Sequence, residues 1–216
     1  MSVNIVIVDN HPIIRDGLKS LLESETDFKV VGFAGNGFEA VNLVRELSPE
    51  IVMMDISMPE LNGIEATSRI KTEFPETNVI ILSILGDSES IFRALKAGAN
   101  GYLLKESVGQ EVIYAIRSVL AGHRYLSQKV DDTVIDAYLN EKMEKNIESP
   151  LELLSQRERE VLQLVAEGNG SKEIADKLFI SPKTVETYRS RIMKKLNLKD
   201  ITALVRFALR HNIIEN

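Results

Sequence analysis

The 216-residue chain contains no cysteine and no long apolar run. Without cysteine there is no disulfide framework, no thiolate metal site and no cysteine nucleophile. No segment approaches the roughly 18 apolar residues that suggest a membrane-spanning helix. The chain begins directly with the apolar segment VNIVIVD, without the basic region and cleavable apolar stretch of a signal peptide. These absences favour a soluble protein of the cytoplasm that does not enter a membrane.

Charge is distributed unevenly along the chain, whose net charge is -6. Residues 1–121 contain 10 basic and 17 acidic side chains, residues 122–150 contain 4 and 6, and residues 151–216 contain 12 and 9. An acidic first part and a mildly basic last part predict two domains with different partners. We expect domains at 1–121 and 151–216. The linker between them, 122–150, is expected to hold one helix over 130–139 and a solvated spacer, NEKMEKN.

Short apolar segments alternate with segments of helical period in residues 1–121. The predicted strands are NIVIVD, FKVVGFA, EIVMMD, NVIILS and GYLLK, and five amphipathic segments follow them in turn. This order predicts an α/β fold of the doubly wound, flavodoxin-like kind, in which a five-stranded parallel sheet is covered by helices on both faces.

Four polar side chains stand at the ends of these predicted strands. Asp9 ends the first strand, Asp55 the third, Ser83 the fourth and Lys105 the fifth. Ligands of such sheets bind beyond the carboxyl ends of the strands, so we expect the four side chains to converge there. Each alone has a commoner explanation, as a cap, a turn former or a solvated lysine. Their joint placement is what indicates a site.

The residue types suit phosphoryl transfer. A carboxylate such as Asp55 can attack phosphorus and form an aspartyl phosphate. The charge of the phosphoryl group has to be offset by fixed cations. Lys105 supplies one, Asp9 suits a Mg²⁺ ion that prefers oxygen ligands, and the Ser83 hydroxyl can donate a hydrogen bond to a phosphoryl oxygen.

Residues 3–121 resemble the receiver domain of bacterial two-component response regulators. The resemblance rests on VDNHP, MMDISMPELNG, ILS and ALKAGANGYLLK, which stand in the family's order. It implies that Asp55 is the phosphoacceptor, that Ser57 offers its backbone carbonyl to the metal, that Ser83 is the switch hydroxyl and that Tyr102 is the switch aromatic residue. One position departs from the pattern: Asn10 stands where the family has a second acid. An amide carbonyl carries no net charge, so we expect weaker Mg²⁺ binding.

From residue 151 onward the sequence contains helical signals only. LSQREREVLQLVAEG begins with Ser155 and Glu158 at capping-box spacing, and a later helix begins at Ser181 with Pro182 in its first turn. SKEIADKLF and ITALVRFALRHN complete a predicted four-helix unit. Without a more specific motif, a protein-binding helical cap would be an equal interpretation.

The stretch from LSQREREVL through KEIADKLFISPKTVETYRSRIMKKL resembles the LuxR-type helix-turn-helix of the NarL/FixJ subfamily. The first turns of a recognition helix lie nearest the bases in the major groove, while basic residues contact phosphates. Glu186 is unfavourable beside a phosphate, but its carboxylate can accept from a cytosine amine. The expected DNA-binding residues are Lys172, Lys183, Thr184, Glu186, Thr187, Ser190, Arg191, Lys194 and Lys195.

Together these features predict a transcriptional response regulator rather than an enzyme. A sensor histidine kinase would phosphorylate Asp55 and so alter dimerisation and promoter binding, with a homodimer on double-stranded DNA. The last helix is expected to form either a dimer surface or core packing. One alternative is a phosphatase with an aspartyl-phosphate intermediate, although Ser57 stands where such enzymes carry a second acid. The other alternative is a nucleotide-binding fold, but this sequence lacks the glycine motifs that bind phosphate in such folds.

Overall fold

The computed structural model describes residues 2–107, 109–141 and 149–214. The chain forms two compact units that divide between residues 146 and 147, with residues 59–61 grouped with the second unit. The domain boundaries predicted from the sequence, at residues 121 and 151, stay predictions. Most of the predicted spacer NEKMEKN, from residue 142 onward, lies outside the described residues. No helix in the described ranges is long and apolar enough to cross a membrane.

The first unit is a parallel sheet with the strand order β2-β1-β3-β4-β5-β6. Its strands are β1 Val3–Val8, β2 Phe28–Ala34, β3 Ile51–Met54, β4 Asn78–Ser83, β5 Gly101–Leu104 and β6 Tyr125–Leu126. Its helices are α1 Pro12–Leu22, α2 Gly37–Leu47, α3 Gly63–Glu73, α4 Ser88–Lys96, α5 Gln110–Leu120 and α6 Gln128–Glu141. The doubly wound α/β prediction is confirmed.

The prediction of five strands was wrong, because the sheet has six. Tyr125–Leu126 pairs in parallel with Gly101 and Tyr102 of β5, in a stretch interpreted from its sequence as linker. A two-residue strand is too short to show alternation, so pairing with a neighbouring strand decides its conformation. The predicted linker helix exists but is longer, and its Val130 is fully buried.

The sheet is apolar because helices cover both of its faces. All four residues of β3 are buried, as are the last four residues of β1. Strands buried on both faces read as continuous apolar runs rather than alternating ones. Such a strand is held rigidly in place, which fixes the position of the first polar residue that follows it.

The second unit contains helices and no strand within residues 149–214. After a single 3₁₀ turn at Pro150–Leu153 come α7 Gln156–Ala166, α8 Ser171–Leu178, α9 Pro182–Lys195 and α10 Ile201–Arg210. The Ser155 hydroxyl and the Glu158 carboxylate cap the start of α7 reciprocally, as predicted. Ser181 caps α9. The four-helix prediction is confirmed.

Candidate functional site

Two buried carboxylates and one ammonium meet at the carboxyl edge of the sheet. Val8 and Met54 are paired between β1 and β3, so Asp9 and Asp55, which follow them, leave the sheet side by side. Lys105, directly after β5, places its Nζ 2.7 Å from Asp9 Oδ2 and 2.9 Å from Asp55 Oδ2. Three of the four predicted strand-end residues are therefore in direct contact.

Burial controls the charge of Asp55. Its side chain is 2% exposed, and this desolvation raises the pKa of the carboxyl from 3.8 to about 6, against the opposing attraction of Lys105. The backbone N–H of Ile56 donates to Asp55 Oδ1 at 2.8 Å. Asp55 is still ionised at neutral pH, where its carboxylate is poorly solvated and held in one orientation. Such a carboxylate suits nucleophilic attack.

Asp9 is oriented by His11, whose role the sequence pattern does not indicate. The backbone N–H of His11 donates to Asp9 Oδ1 at 2.8 Å, and His11 Nδ1 lies 3.1 Å from the same oxygen. Arg15 Nη1 donates to the Asp9 carbonyl at 2.6 Å. These contacts leave Asp9 Oδ2 to face Lys105. The VDNHP motif contains His11, but nothing in its spacing indicates this bond.

The donor set fits a hard divalent cation. Ligand atoms of Asp9, His11 and Asp55 all lie within 4.8 Å of one another. The Oδ1 atom of Asn10 is buried and has no hydrogen-bond partner in the described parts of the chain. A buried acceptor without a partner calls for an explanation, and Mg²⁺ prefers oxygen ligands of this kind. The residues of this acidic pocket are thus compatible with the ion.

Ser83 and Tyr102 are both tied to the loop after β4. The backbone N–H of Leu85 donates to Ser83 Oγ at 3.1 Å, and the Tyr102 hydroxyl donates to the Leu85 carbonyl at 2.6 Å. Both residues are fully buried, and this burial raises the pKa of Tyr102. Ser83 lies at the predicted strand end, but its hydroxyl oxygen accepts a hydrogen bond from the Leu85 backbone. A movement of this loop would affect both side chains at once.

The second unit presents a polar face on α9. Val185 and Ile192 are buried, whereas seven residues predicted to bind DNA are exposed on this helix, as is Lys172 at the start of α8. The seven are Lys183, Glu186, Thr187, Ser190, Arg191, Lys194 and Lys195.

Three predicted DNA-binding residues have side-chain partners within this unit, and the hydroxyl of a fourth, Thr187, donates to the Lys183 carbonyl. Lys195 Nζ lies 2.6 Å from Glu158 Oε2, whose side chain is only 4% exposed. Thr184 joins Ser181 at the cap of α9. Glu186 accepts a hydrogen bond from the Ser171 hydroxyl. The pairings of Lys195 and Glu186 depend on how the helices pack together, so a helical pattern cannot reveal them. The contact of Thr184 with Ser181 is local to the start of α9.

A parallel sheet with an acidic pocket at its carboxyl edge, followed by a helix-turn-helix unit, defines a response regulator. Residues 5–117 match the response regulator receiver domain, and residues 152–208 match the bacterial regulatory proteins of the luxR family. The chain therefore belongs to the LuxR-family response regulators. Its function is that of a phosphorylation-regulated, DNA-binding transcription regulator.

Proteins similar to this chain match either nearly its whole length or part of it. The oxygen regulatory protein NreC of Staphylococcus epidermidis is 41% identical over 217 residues, covering 99% of this chain and all of NreC. A LuxR-family response regulator from Aurantimonas has a TM-score of 0.62 and 34% identity over 64% of this chain and 99% of its own. The structure of RcsB from Salmonella enterica serovar Typhimurium was determined bound to a promoter in the presence of a phosphomimetic. It has a TM-score of 0.61 and 27% identity to this chain, and the match covers 96% of this chain and 98% of RcsB.

Proposed function

We propose that Asp55 accepts a phosphoryl group from the phosphohistidine of a sensor kinase. An oxygen of Asp55 forms a bond to phosphorus while the bond from phosphorus to the histidine nitrogen breaks. The observation that carries this proposal is the buried Asp55 carboxylate at the end of β3, 2.9 Å from the Lys105 ammonium. Phosphoryl transfer depends mainly on such positioning and charge stabilisation.

Lys105 is the proposed partner of the transferred group. Its ammonium bridges Asp9 and Asp55 before transfer, and it is placed to neutralise a phosphoryl oxygen after transfer. The residues proposed to hold Mg²⁺ are Asp9, Asn10, Asp55 and the Ser57 carbonyl. When bound, the ion would offset the negative charge of the donor phosphate. His11 keeps Asp9 in the orientation that this pocket requires.

The proposed switch consists of Ser83 and Tyr102. Phosphorylation adds a charge of about -1.5 to -2 near neutral pH and three acceptor oxygens. The Ser83 hydroxyl would turn from the loop backbone to one of these oxygens. Leu85 would then lose the acceptor of its N–H, and the Tyr102 hydroxyl bound to the same residue would have to repack.

The proposed output is promoter binding by a homodimer through α9. One helix-turn-helix module makes a small interface with DNA, so two copies on adjacent half-sites suit tight binding. The residues proposed to contact DNA are Lys172, Lys183, Thr187, Ser190, Arg191 and Lys194. In this account the chain turns over no substrate of its own, and it acts in the cytoplasm because its target is bacterial promoter DNA.

The test is phosphoryl labelling of the full chain with radiolabelled acetyl phosphate and Mg²⁺, followed by promoter binding. Wild type is expected to incorporate one acid-stable, base-labile phosphoryl group, and Asp55→Ala none. Asp16→Ala, which removes an exposed acid on α1, is the matched control. Stable labelling of Asp55→Ala would remove Asp55 from this role, while steady release of phosphate from phosphomonoesters would favour a phosphatase.

A further inference from the structure

Glu186 is held by two side chains on the polar face of the second unit. Its carboxylate accepts a hydrogen bond from the hydroxyl of Ser171, the first residue of α8. Arg189 Nη1 lies 3.6 Å from Glu186 Oε1 and 3.2 Å from Ser171 Oγ. The three side chains form one connected group, which we call the Glu186 cluster. It joins the first helix of the helix-turn-helix to the recognition helix.

Apart from Glu186, the charged residues of α9 are basic. Glu186 is the only acidic residue in Pro182–Lys195, and its side chain is 61% exposed. Lys183, Arg191 and Lys194 are exposed along the same helix. Glu186 therefore places one negative charge on a face that is otherwise suited to a polyanion.

The donors that Glu186 engages are of the kind that bind DNA phosphates. Guanidinium and hydroxyl groups supply many of the phosphate contacts in protein–DNA complexes, and arginine binds carboxylate and phosphate oxygens in the same way. The Glu186 carboxylate thus occupies the place of a phosphate against Ser171 and Arg189. Because the contact is exposed, its strength is modest, and a DNA phosphate would compete for the same donors.

We propose that Glu186 is a specificity-determining residue that suppresses binding to DNA of arbitrary sequence. Non-specific affinity comes almost entirely from phosphate neutralisation, and each neutralised phosphate adds about 0.9 to the slope of log affinity against log salt. Glu186 withholds Arg189 and Ser171 from that interaction and repels nearby phosphates. Base-edge contacts made by the rest of α9 are unaffected. The ratio of specific to non-specific affinity rises as a result.

This role is opposite to that of a base-reading glutamate. If Glu186 accepted a hydrogen bond from a cytosine amine, its loss would weaken binding to the operator and leave arbitrary DNA nearly unaffected. Under the proposal, its loss strengthens binding to arbitrary DNA. The sign of the change on a non-operator duplex therefore separates the two roles.

The experiment measures binding of the full chain to a fluorescent duplex of about 30 base pairs of arbitrary sequence, by anisotropy at several KCl concentrations. Glu186→Gln is expected to raise affinity about 3- to 10-fold at low salt and to steepen the salt slope by up to ~1. Arg189→Gln alone is expected to change little, because Arg189 is already paired. In the Glu186→Gln background, the same substitution is expected to remove most of the gain.

Asp176→Asn is the matched control, since it makes the same charge change at an exposed position of α8. Equal gains from Asp176→Asn and Glu186→Gln would overturn the proposal, because net charge alone would then explain them. An equal effect of Arg189→Gln in both backgrounds would also overturn it, as would weaker binding by a Glu186→Gln variant with an unchanged melting temperature. Absence of salt-sensitive binding by wild type would remove the DNA-binding function and this proposal with it.

Discussion

The Lys105 ammonium lies 2.9 Å from Asp55 Oδ2 and 2.7 Å from Asp9 Oδ2, so one cation bridges two buried carboxylates. The bridge does not fully compensate the burial, because the pKa of Asp55 stays raised, at about 6. An ionised group with a raised pKa in the folded state destabilises that state at neutral pH. The pocket is therefore arranged for reactivity at the expense of stability.

Asp55→Asn is expected to stabilise the first unit at neutral pH. The shift of the Asp55 pKa from 3.8 to about 6 already includes the attraction of Lys105, and it corresponds to a gain of roughly 3 kcal/mol at most. Urea unfolding followed by far-UV circular dichroism measures this difference. Asp16→Asn, at an exposed position, is the control and should change little. A destabilised Asp55→Asn would show that the ion pair outweighs the burial of charge.

The rate of Asp55 phosphorylation is expected to fall as the pH drops through about 6. Below that value the carboxyl is protonated and no longer nucleophilic, whereas well above it the rate should be level. Initial rates with acetyl phosphate over roughly pH 5 to 8 test this. His11→Gln, which removes the imidazole beside Asp9, should keep the same inflection. If the inflection disappeared in His11→Gln, His11 rather than Asp55 would set the profile.

Asn10→Asp is expected to tighten Mg²⁺ binding by about 10-fold or more, because a charged oxygen replaces a neutral one beside two carboxylates. Isothermal titration of the unphosphorylated chain with Mg²⁺ measures this affinity directly. The third acid should also lower stability in metal-free buffer through like-charge repulsion. Asn42→Asp, at an exposed position in α2, controls for net charge. An unchanged affinity would place Asn10 outside the metal pocket.

Lys195→Met is expected to destabilise the second unit by about 1 kcal/mol, because it leaves Glu158 buried without its cation. Adding Glu158→Gln should recover part of that loss. If Lys195 pairs with Glu158 and does not contact DNA, the dependence of DNA affinity on salt concentration should be the same in Lys195→Met as in wild type. Lys194→Met should reduce that salt slope by about 1. A reduced slope in Lys195→Met at unchanged stability would restore Lys195 as a phosphate contact.

Much of the first unit could be predicted because its strands are buried on both faces. Continuous apolar runs such as Ile51–Met54 carry a strong signal, and parallel topology then brings the residues after them to one edge. Asp9, Asp55 and Lys105 lie together for that reason. The sixth strand could not be predicted, since Tyr125–Leu126 is extended only because β5 offers it hydrogen-bond partners.

Side-chain pairing was the less predictable part of both units. Helical spacing correctly placed Lys183 and Arg191 on the exposed face of α9. It could not show that Glu186 meets Ser171, a residue of another helix, or that Lys195 meets Glu158. The contact of His11 with Asp9 is local in sequence, yet it depends on the direction in which the chain leaves β1.

The short strand Tyr125–Leu126 limits how the first unit can be cut from the chain. A fragment ending at residue 121, where composition alone would place the boundary, would leave Gly101 and Tyr102 with an open row of backbone donors and acceptors. Open edges of this kind recruit strands from other molecules. A fragment retaining residues through 141 keeps that edge paired and keeps Val130 of α6 in its buried place, and it should stay monomeric where the shorter one aggregates.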